Sequence, residues 1–341
     1  MVLRNLKNYN ASSIKNILIC HKLWSSVFVD IDGQVYICCH CKPSSIGNIY
    51  IHNIEQIWNS EKLKYYRKLC VEQKLYCLRY CSLLKDSECK IDLNNYKNLK
   101  NFLKESSYPQ YIEARITTAC NLRCVMCVSN FQENYLPLEI LVKHINFNKI
   151  KRLILQGGEP LLYKEIKHLF EIASTKEIKI DLLTNGMLIN EEWAQILALH
   201  SHMVYISLNA ASKETHERIN RGSSWEKVIY NIKMLKKFRE TYRTNLIIHG
   251  HMTIVLQNLK EIHLFMKNYR HLGFDRINFG YDRSVVAFLK RHPYIHAKLK
   301  NTITNTYLSL PSQVRRNVYS YRLELLGLLS HEYSRFKSIQ I

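Results

Sequence analysis

The chain has 341 residues, with 49 Lys and Arg against 28 Asp and Glu, a formal net charge of +21, and 11 cysteines. That length holds one large domain and one small one, and no apolar run approaches the roughly twenty residues that a membrane span needs. Many cysteines without a secretory apolar segment argue against a disulfide scaffold and for metal ligation in a reducing compartment, so a cytoplasmic protein is expected. The positive charge suits an anionic partner, yet the lysines are scattered among abundant Asn, Ile and Tyr, which a compositional bias explains as well.

In chain order, residues 1–95 hold eight of the cysteines. The stretch VFVDIDGQVYICC alternates apolar residues around Asp32-Gly33, a hairpin pattern whose turn tolerates positive φ. Next, IGNIYIHNIEQIWNSEKLKYYRKL reads as a short loop and a helix with Ile54, Ile57 and Trp58 on one side. Residues 96–110 are polar, with Ser-Ser and Pro109, and read as a linker.

From residue 111 apolar strands alternate with amphipathic helices, which predicts βαβ units and a parallel sheet. The expected strands are 112–118, 151–156, 178–183, 203–208, 246–255 and 275–280. Ser223 with Glu226 and Asn258 with Glu261 read as capping boxes, and Val228, Ile229, Ile232 and Leu235 form a core-facing stripe. The tail, 285–341, reads as helical, with Leu323, Leu325, Leu326, Leu328 and Leu329 closely spaced. A helix covering an open edge of the sheet is expected there, ahead of a partner surface.

The loop after the first of these strands carries Cys120, Cys124 and Cys127 as C-x-x-x-C-x-x-C. Protein iron–sulfur clusters are normally held by four thiolates, so three in one loop leave one iron open. A zinc site completed by a His or a distant Cys is the alternative, although zinc motifs more often use paired C-x2-C knuckles.

ACNLRCVMC, with QGGEPLL about thirty residues on, TNG at 184–186 and SLNA at 207–210, resembles the radical S-adenosylmethionine (radical SAM) superfamily over 111–281. The resemblance implies an α/β fold, a partial (β/α)6 TIM-like barrel, and a [4Fe-4S] cluster on Cys120, Cys124 and Cys127 whose open iron chelates SAM. It also implies reductive cleavage of SAM to a 5′-deoxyadenosyl radical that abstracts hydrogen from a substrate, the hard chemistry being the cofactor's. Residues implied in SAM binding are Gly157, Gly158 and Glu159 at the methionyl amino group, with Asn185, Ser207 and Asn209 at ribose and carboxylate; simple loop capping is their alternative role. Met126 departs from the aromatic residue often found before the third Cys, and a thioether fills the same apolar space.

The N-terminal pieces, Cys20, Gly33, Cys38, GNI and the IWNSEKLKYYRKL helix, resemble SPASM and twitch domains, which bind auxiliary iron–sulfur clusters. That implies one auxiliary cluster, [4Fe-4S] in type, on Cys20, Cys38, Cys77 and Cys81, with Cys70 or Cys89 as substitutes because the last pair is one residue wider than C-x-x-C. Cys39 and Cys41 have no counterpart. The expected division is thus 1–95 auxiliary domain, 96–110 linker, 111–284 barrel and 285–341 helical extension.

No catalytic residue is singled out. His249, His251 and Asn258 lie near the fifth strand, alternation placing the histidines on one face without saying which, and Arg221-Gly222 offers a guanidinium to an anion. The expected partners are SAM, a reducing donor such as flavodoxin or ferredoxin, and a substrate of peptide, protein, sugar or nucleotide type that the charge suits if anionic; no membrane partner is expected. No winged-helix leader-binding module is evident. A zinc-binding, basic nucleic-acid module is the rival reading.

Overall fold

The computed structural model describes residues 19–39, 44–78, 81, 107–129 and 132–330, so Cys41 and Cys89 lie outside the described residues. The chain forms two compact units: Met1–Thr117, Asn134–Gln156 and Glu171–Lys179 make the first, and Thr118–Glu133, Gly157–Phe170 and Ile180–Ile341 the second.

The first unit opens with a helical turn, α1 (Lys22–Ser25), and the hairpin of β1 (Ser26–Val29) and β2 (Gln34–Tyr36). The turn closes through Asp30 N–H to Gln34 O at 2.8 Å and Gly33 N–H to Asp30 O at 2.9 Å. Gly33 sits at φ +77°, and a Cβ there would fall 2.2 Å from the Tyr50 ring, so glycine is required twice over. A two-residue strand, β3 (Gly47–Asn48), completes the hairpin's outer edge. α2 (Ile54–Trp58) starts with a reciprocal cap, Gln56 N–H to Asn53 Oδ1 and Asn53 N–H to Gln56 Oε1, and Ser60 caps α3 (Glu61–Val71). Ile54, Ile57 and Trp58 are buried on the predicted face. Arg67 of α3, also buried, lies 4.5 Å over the Trp58 ring and donates from Nε to Leu23 O at 2.9 Å, which ties α3 to α1.

The unit continues through β4 (Tyr111–Thr117), α4 (Leu138–His144) and β5 (Arg152–Gly157), and its strand order is β3-β2-β1-β4-β5. β1 runs parallel to β4, from Ser26 against Tyr111 to Val29 against Ala114. Every residue of β1 is buried, as its unbroken Val-Phe-Val run requires of a strand covered on both faces. The hairpin therefore extends the sheet that carries the first barrel strand.

The second unit follows α5 (Ile166–Thr175) with β6 (Lys179–Thr184), α6 (Glu191–His200), β7 (Ser201–Ser207), α7 (Lys213–Ile219), α8 (Trp225–Thr241), β8 (Ile247–Ile254), α9 (Ile262–Asn268) and β9 (Arg276–Tyr281). Neighbouring strands from β6 to β9 are parallel. The α/β class with its open parallel sheet is as expected, and all six predicted strands form within two residues of their expected bounds.

Two capping assignments are corrected, and the helical tail gains a short strand. Ser224, not Ser223, caps α8, its oxygen accepting from Lys227 N. Asn258 stands inside a 3₁₀ turn, where its Oδ1 accepts from Val255 N–H rather than starting a helix. The tail adds α10 (Arg283–Arg291), α11 (Pro293–Ser309) and α12 (Ser312–Arg315), then a strand, β10 (Val318–Tyr319), parallel to β9, and α13 (Tyr321–Leu325). Val318-Tyr319 is too short to announce a strand by alternation. Leu323, Leu326, Leu328 and Leu329 are buried as a group while Leu325 is exposed.

Side-chain alternation on β8 gives the sheet two different faces. Ile248, Gly250, Met252 and Ile254 point into the apolar layer, where a Cβ on Gly250 would meet the Phe274 ring at 2.6 Å. His249, His251 and Thr253 take the other face.

Candidate cluster and cofactor site

The loop from Thr118 to Ser129 carries the three-cysteine motif, with Cys120 and Cys124 half-buried and Cys127 exposed. Backbone carbonyls accept most of the bonds that hold it, with Leu122 N–H directed at Cys120 Sγ at 3.5 Å. Arg123 N–H donates to Arg221 O and Val125 N–H to Ile219 O, each at 2.9 Å, and Arg123 Nη1 returns to Cys120 O at 2.8 Å. The Arg221-Gly222 segment thus contributes a carbonyl to the loop, while the Arg221 side chain is exposed.

Burial pushes the Cys124 thiol up to about 12, with Cys120 and Cys127 adding to the shift, and Cys120 is raised by burial, with Glu159 and Cys127 among the contributors. The three sulfurs therefore sense one another, and gathered as thiolates they repel. A cationic iron centre reverses that sign, and binding it expels the thiol protons. Among the described residues no three His, Cys, Asp or Glu side chains stand at metal-ligand spacing without a metal. The donor set fits an iron–sulfur cluster with one iron left open.

The QGGEP turn packs directly on this loop. A Cβ on Gly158 would lie 2.3 Å from Ala119 O and 2.6 Å from Thr118 O, so only glycine lets the two backbones approach. Glu159 N–H donates to Ala119 O at 2.8 Å. The Glu159 carboxylate is fully buried and accepts from Leu161 N–H (3.2 Å), Thr184 Oγ1 (2.8 Å) and Asn185 N–H (2.8 Å). A carboxylate has about four acceptor positions, so one is left. Burial raises this carboxyl to about 7 despite those three bonds, and a cation placed beside it would hold the ionised form.

Asn185 closes the group, its Nδ2 donating to Asn121 Oδ1 at 2.8 Å and its Oδ1 accepting from Met187 N–H at 2.9 Å. Gly186 follows at φ +79° and its carbonyl accepts from Asn231 Nδ2. The cluster loop, the glycine turn and the end of β6 are thus linked through Glu159.

Ser207 is half-exposed at the end of β7. Asn209, at φ +61° and buried, spends its side chain on the protein: Nδ2 donates to Asn220 Oδ1 at 3.0 Å and Oδ1 accepts from Thr253 N–H at 2.8 Å. Asn258 Nδ2 donates to the carbonyls of Asn209 and Thr253, so it braces this corner from within rather than facing a cavity. His216, unremarked in the sequence, donates from Nδ1 to Leu208 O and meets Ser223 Oγ through Nε2.

In the first unit Cys20, Cys38 and Cys70 are buried, and Cys20 N–H points to Cys70 Sγ at 3.4 Å. Burial raises the Cys20 thiol far above its ordinary value, and the thiols that add to this are Cys70, Cys38 and Cys81. Cys77 is half-buried and absent from that set. Cys70, a substitute in the sequence reading, lies in α3 away from the C-x3-C pair, and the fold sets it beside Cys20.

Residues 115–266 match the Radical SAM superfamily model and residues 20–90 the model of an iron-sulfur cluster-binding domain, SPASM. The chain therefore carries a Radical SAM domain and, ahead of it in sequence, a SPASM iron–sulfur cluster-binding domain. It is 29% identical over 182 residues to the cysteine-type anaerobic sulfatase-maturating enzyme of Clostridium novyi, covering 46% of this chain and 47% of that protein. It is 30% identical over 140 residues to the GTP 3′,8-cyclase of Aliarcobacter butzleri, covering 37% and 43%. Among solved structures, Streptococcus suis SuiB bound to precursor peptide SuiA aligns at TM-score 0.44 and 17% identity over 81% of this chain and 68% of that one. The matches span half or less of the length of these curated relatives. A radical SAM domain brings a [4Fe-4S] cluster that binds SAM, and a SPASM domain an auxiliary iron–sulfur cluster. Among the described residues no helix is long and apolar enough to cross a membrane.

Proposed function

We propose that this radical SAM enzyme holds its SAM-binding cluster on Cys120, Cys124 and Cys127 and uses it to activate a substrate by hydrogen abstraction. When bound, cluster and SAM supply one-electron cleavage of the sulfonium to a 5′-deoxyadenosyl radical. The protein's part is placement. Gly158 lets the turn pack directly on the cluster loop, Gly157 presents backbone without a side chain, the remaining acceptor position of Glu159 takes the methionyl ammonium, and Asn185 and Ser207 offer polar edges to the rest of SAM. Asn209 acts at one remove, by fixing the turn after β7. A low-potential donor such as flavodoxin or ferredoxin supplies the electron. Names among the relatives point to a protein or peptide side chain or a nucleotide as substrate class.

For the auxiliary cluster we infer Cys20, Cys38 and Cys81 as ligands, with Cys70 rather than Cys77 as the fourth, because Cys70 is the buried thiol against Cys20. A cluster held there would supply electron transfer with a substrate radical or a ligation point for substrate.

The observation that carries the reading is Glu159, buried and hydrogen-bonded so as to lock the glycine turn to both the cysteine loop and the end of β6. The test is reductive formation of 5′-deoxyadenosine in the variant with Cys120, Cys124 and Cys127 all changed to Ala. Formation is expected to vanish while auxiliary-cluster absorbance persists, and undiminished formation would sink the assignment.

A further inference from the structure

The sheet face that carries Ser207 holds a second group of side chains. Cross-strand register aligns Tyr205 on β7 with His249 on β8 and Arg276 on β9; one step along, it aligns Ser207, His251, Asn278 and, on β10, Tyr319. The His249 ring, only 4% exposed, lies between Tyr205 and Tyr319 with centroids 4.7 and 5.8 Å away. Neither of its nitrogens makes a hydrogen bond of good geometry among the described residues, and the Asn278 amide is the one polar side chain that acts on it as a hydrogen-bond partner. The nearby amide is already engaged, Asn278 Oδ1 accepting from His251 Nδ1 at 2.7 Å, and His251 Nε2 meets Thr253 Oγ1 at 3.1 Å. Gly280 leaves this row open, since a Cβ there would stand 3.2 Å from the His251 ring.

A buried imidazole carries one donor and one acceptor, and leaving both unmade is costly. A ligand can supply the partners that Asn278, shared with His251, does not. Burial, then proximity to His251 and Arg276, holds His249 down to about 3 against the Asn278 side chain, which acts upward, so the ring is neutral; His251 is likewise lowered by burial, with Arg322 adding and Asn278 opposing. No carboxylate is among the groups acting on either ring. Among the described residues Arg276 makes no ion pair, its Nη1 reaching the Tyr319 hydroxyl at 3.4 Å.

We propose that these two rows are the substrate-anchoring surface and take a carboxylate: Arg276 is its charge partner, the His249 N–H adds a hydrogen bond, and Tyr205 and Tyr319 flank the apolar atoms next to it. The planar guanidinium fork matches a carboxylate in both shape and charge. This rests on the reading that Ser207 marks the face where SAM meets substrate.

The cluster-loaded, SAM-bound full chain is titrated calorimetrically with benzoate, with the uncharged benzamide of the same shape, and with phenyl phosphate. Benzoate is expected to bind about tenfold more tightly than benzamide, the ratio expected of one charge-assisted contact. Arg276→Gln should bring benzoate down to the benzamide level, Arg276→Lys should retain part of the preference, and His249→Gln should weaken benzoate several-fold. Iron content and unfolding midpoint equal to the parent protein's show that a variant folds; if Arg276→Gln fails that check, Arg276→Lys decides. No binding of benzoate, equal affinity for benzoate and benzamide, or benzoate binding indifferent to Arg276 overturns the proposal. Tighter binding of phenyl phosphate than of benzoate overturns the carboxylate assignment. Binding is read without turnover, so a chain that binds benzoate yet forms no 5′-deoxyadenosine breaks the functional reading alone.

Discussion

The two thiol groups are built on opposite plans. Cys120, Cys124 and Cys127 sit within eight residues on a loop that two backbone bonds hold in place, and Cys127 is exposed. Cys20, Cys38, Cys70 and Cys81 span 62 positions of the chain, three of the four are buried, and what gathers them is a hairpin, a helix and the Arg67–Trp58 stack. A ligand set written on one loop survives as a spacing in the sequence. One assembled by packing leaves alternatives in the sequence, here Cys70 against Cys77, that are weighed only when the elements are in place.

The sharpest way to break this contrast is to remove single thiols from the packed set. Cys70→Ala should cost the auxiliary cluster, lowering iron by about four per chain if that cluster is a cubane, whereas Cys77→Ala should keep it. Iron measured after anaerobic reconstitution checks both, and the reverse outcome returns the site to the C-x3-C pair. Exposure makes the next largest difference. Under chelator and air the loop-held cluster should decay several-fold faster than the buried one, because attack on the second needs a local opening of the fold; freeze-quenched spectra resolve the two.

Much of this was legible. Six strands, the Asp32-Gly33 turn and the face of α2 follow from periodicity and turn chemistry, since each is a local preference. Three features were not. The pairing of β1 with β4 joins residues about 85 positions apart, and no periodicity encodes partner choice. β10 is two residues long, below the length at which alternation is a signal. The roles of Glu159 and Asn209 were drawn from resemblance as direct contacts to SAM, yet most of their hydrogen bonds go to the protein's own loops, because holding loops together consumes the same polar atoms that a ligand uses.

Glu159 gives a pH test of how the loop site is held. Its carboxyl stands at about 7 against an ordinary 4.5, so between those values the folded chain binds more protons than the unfolded one, and stability falls as pH rises through that window. Unfolding midpoints of cluster-loaded, SAM-free protein should fall from pH 5 toward pH 7 relative to Glu159→Gln, which lacks this titration. Saturating SAM should reduce the difference, its ammonium stabilising the charged carboxylate. Parallel pH profiles for the two proteins would show that Glu159 is not titrating in the fold.

The smallest effect concerns the outermost tie of the loop. Asn121 Oδ1 accepts from Asn185 Nδ2 at 2.8 Å in an exposed position, where water competes and a neutral hydrogen bond contributes only about 0.5–1 kcal/mol. The backbone bonds from Arg123 to Arg221 and from Val125 to Ile219 are untouched by any side-chain change, so Asn121→Ala leaves the loop anchored and frees only its link to the end of β6. The expected result is SAM binding weakened about two- to fivefold, with iron content and unfolding midpoint unchanged. A larger loss, or loss of iron, would mean that the loop depends on side chains as the packed set does, and the contrast between the two plans would fail at its exposed end.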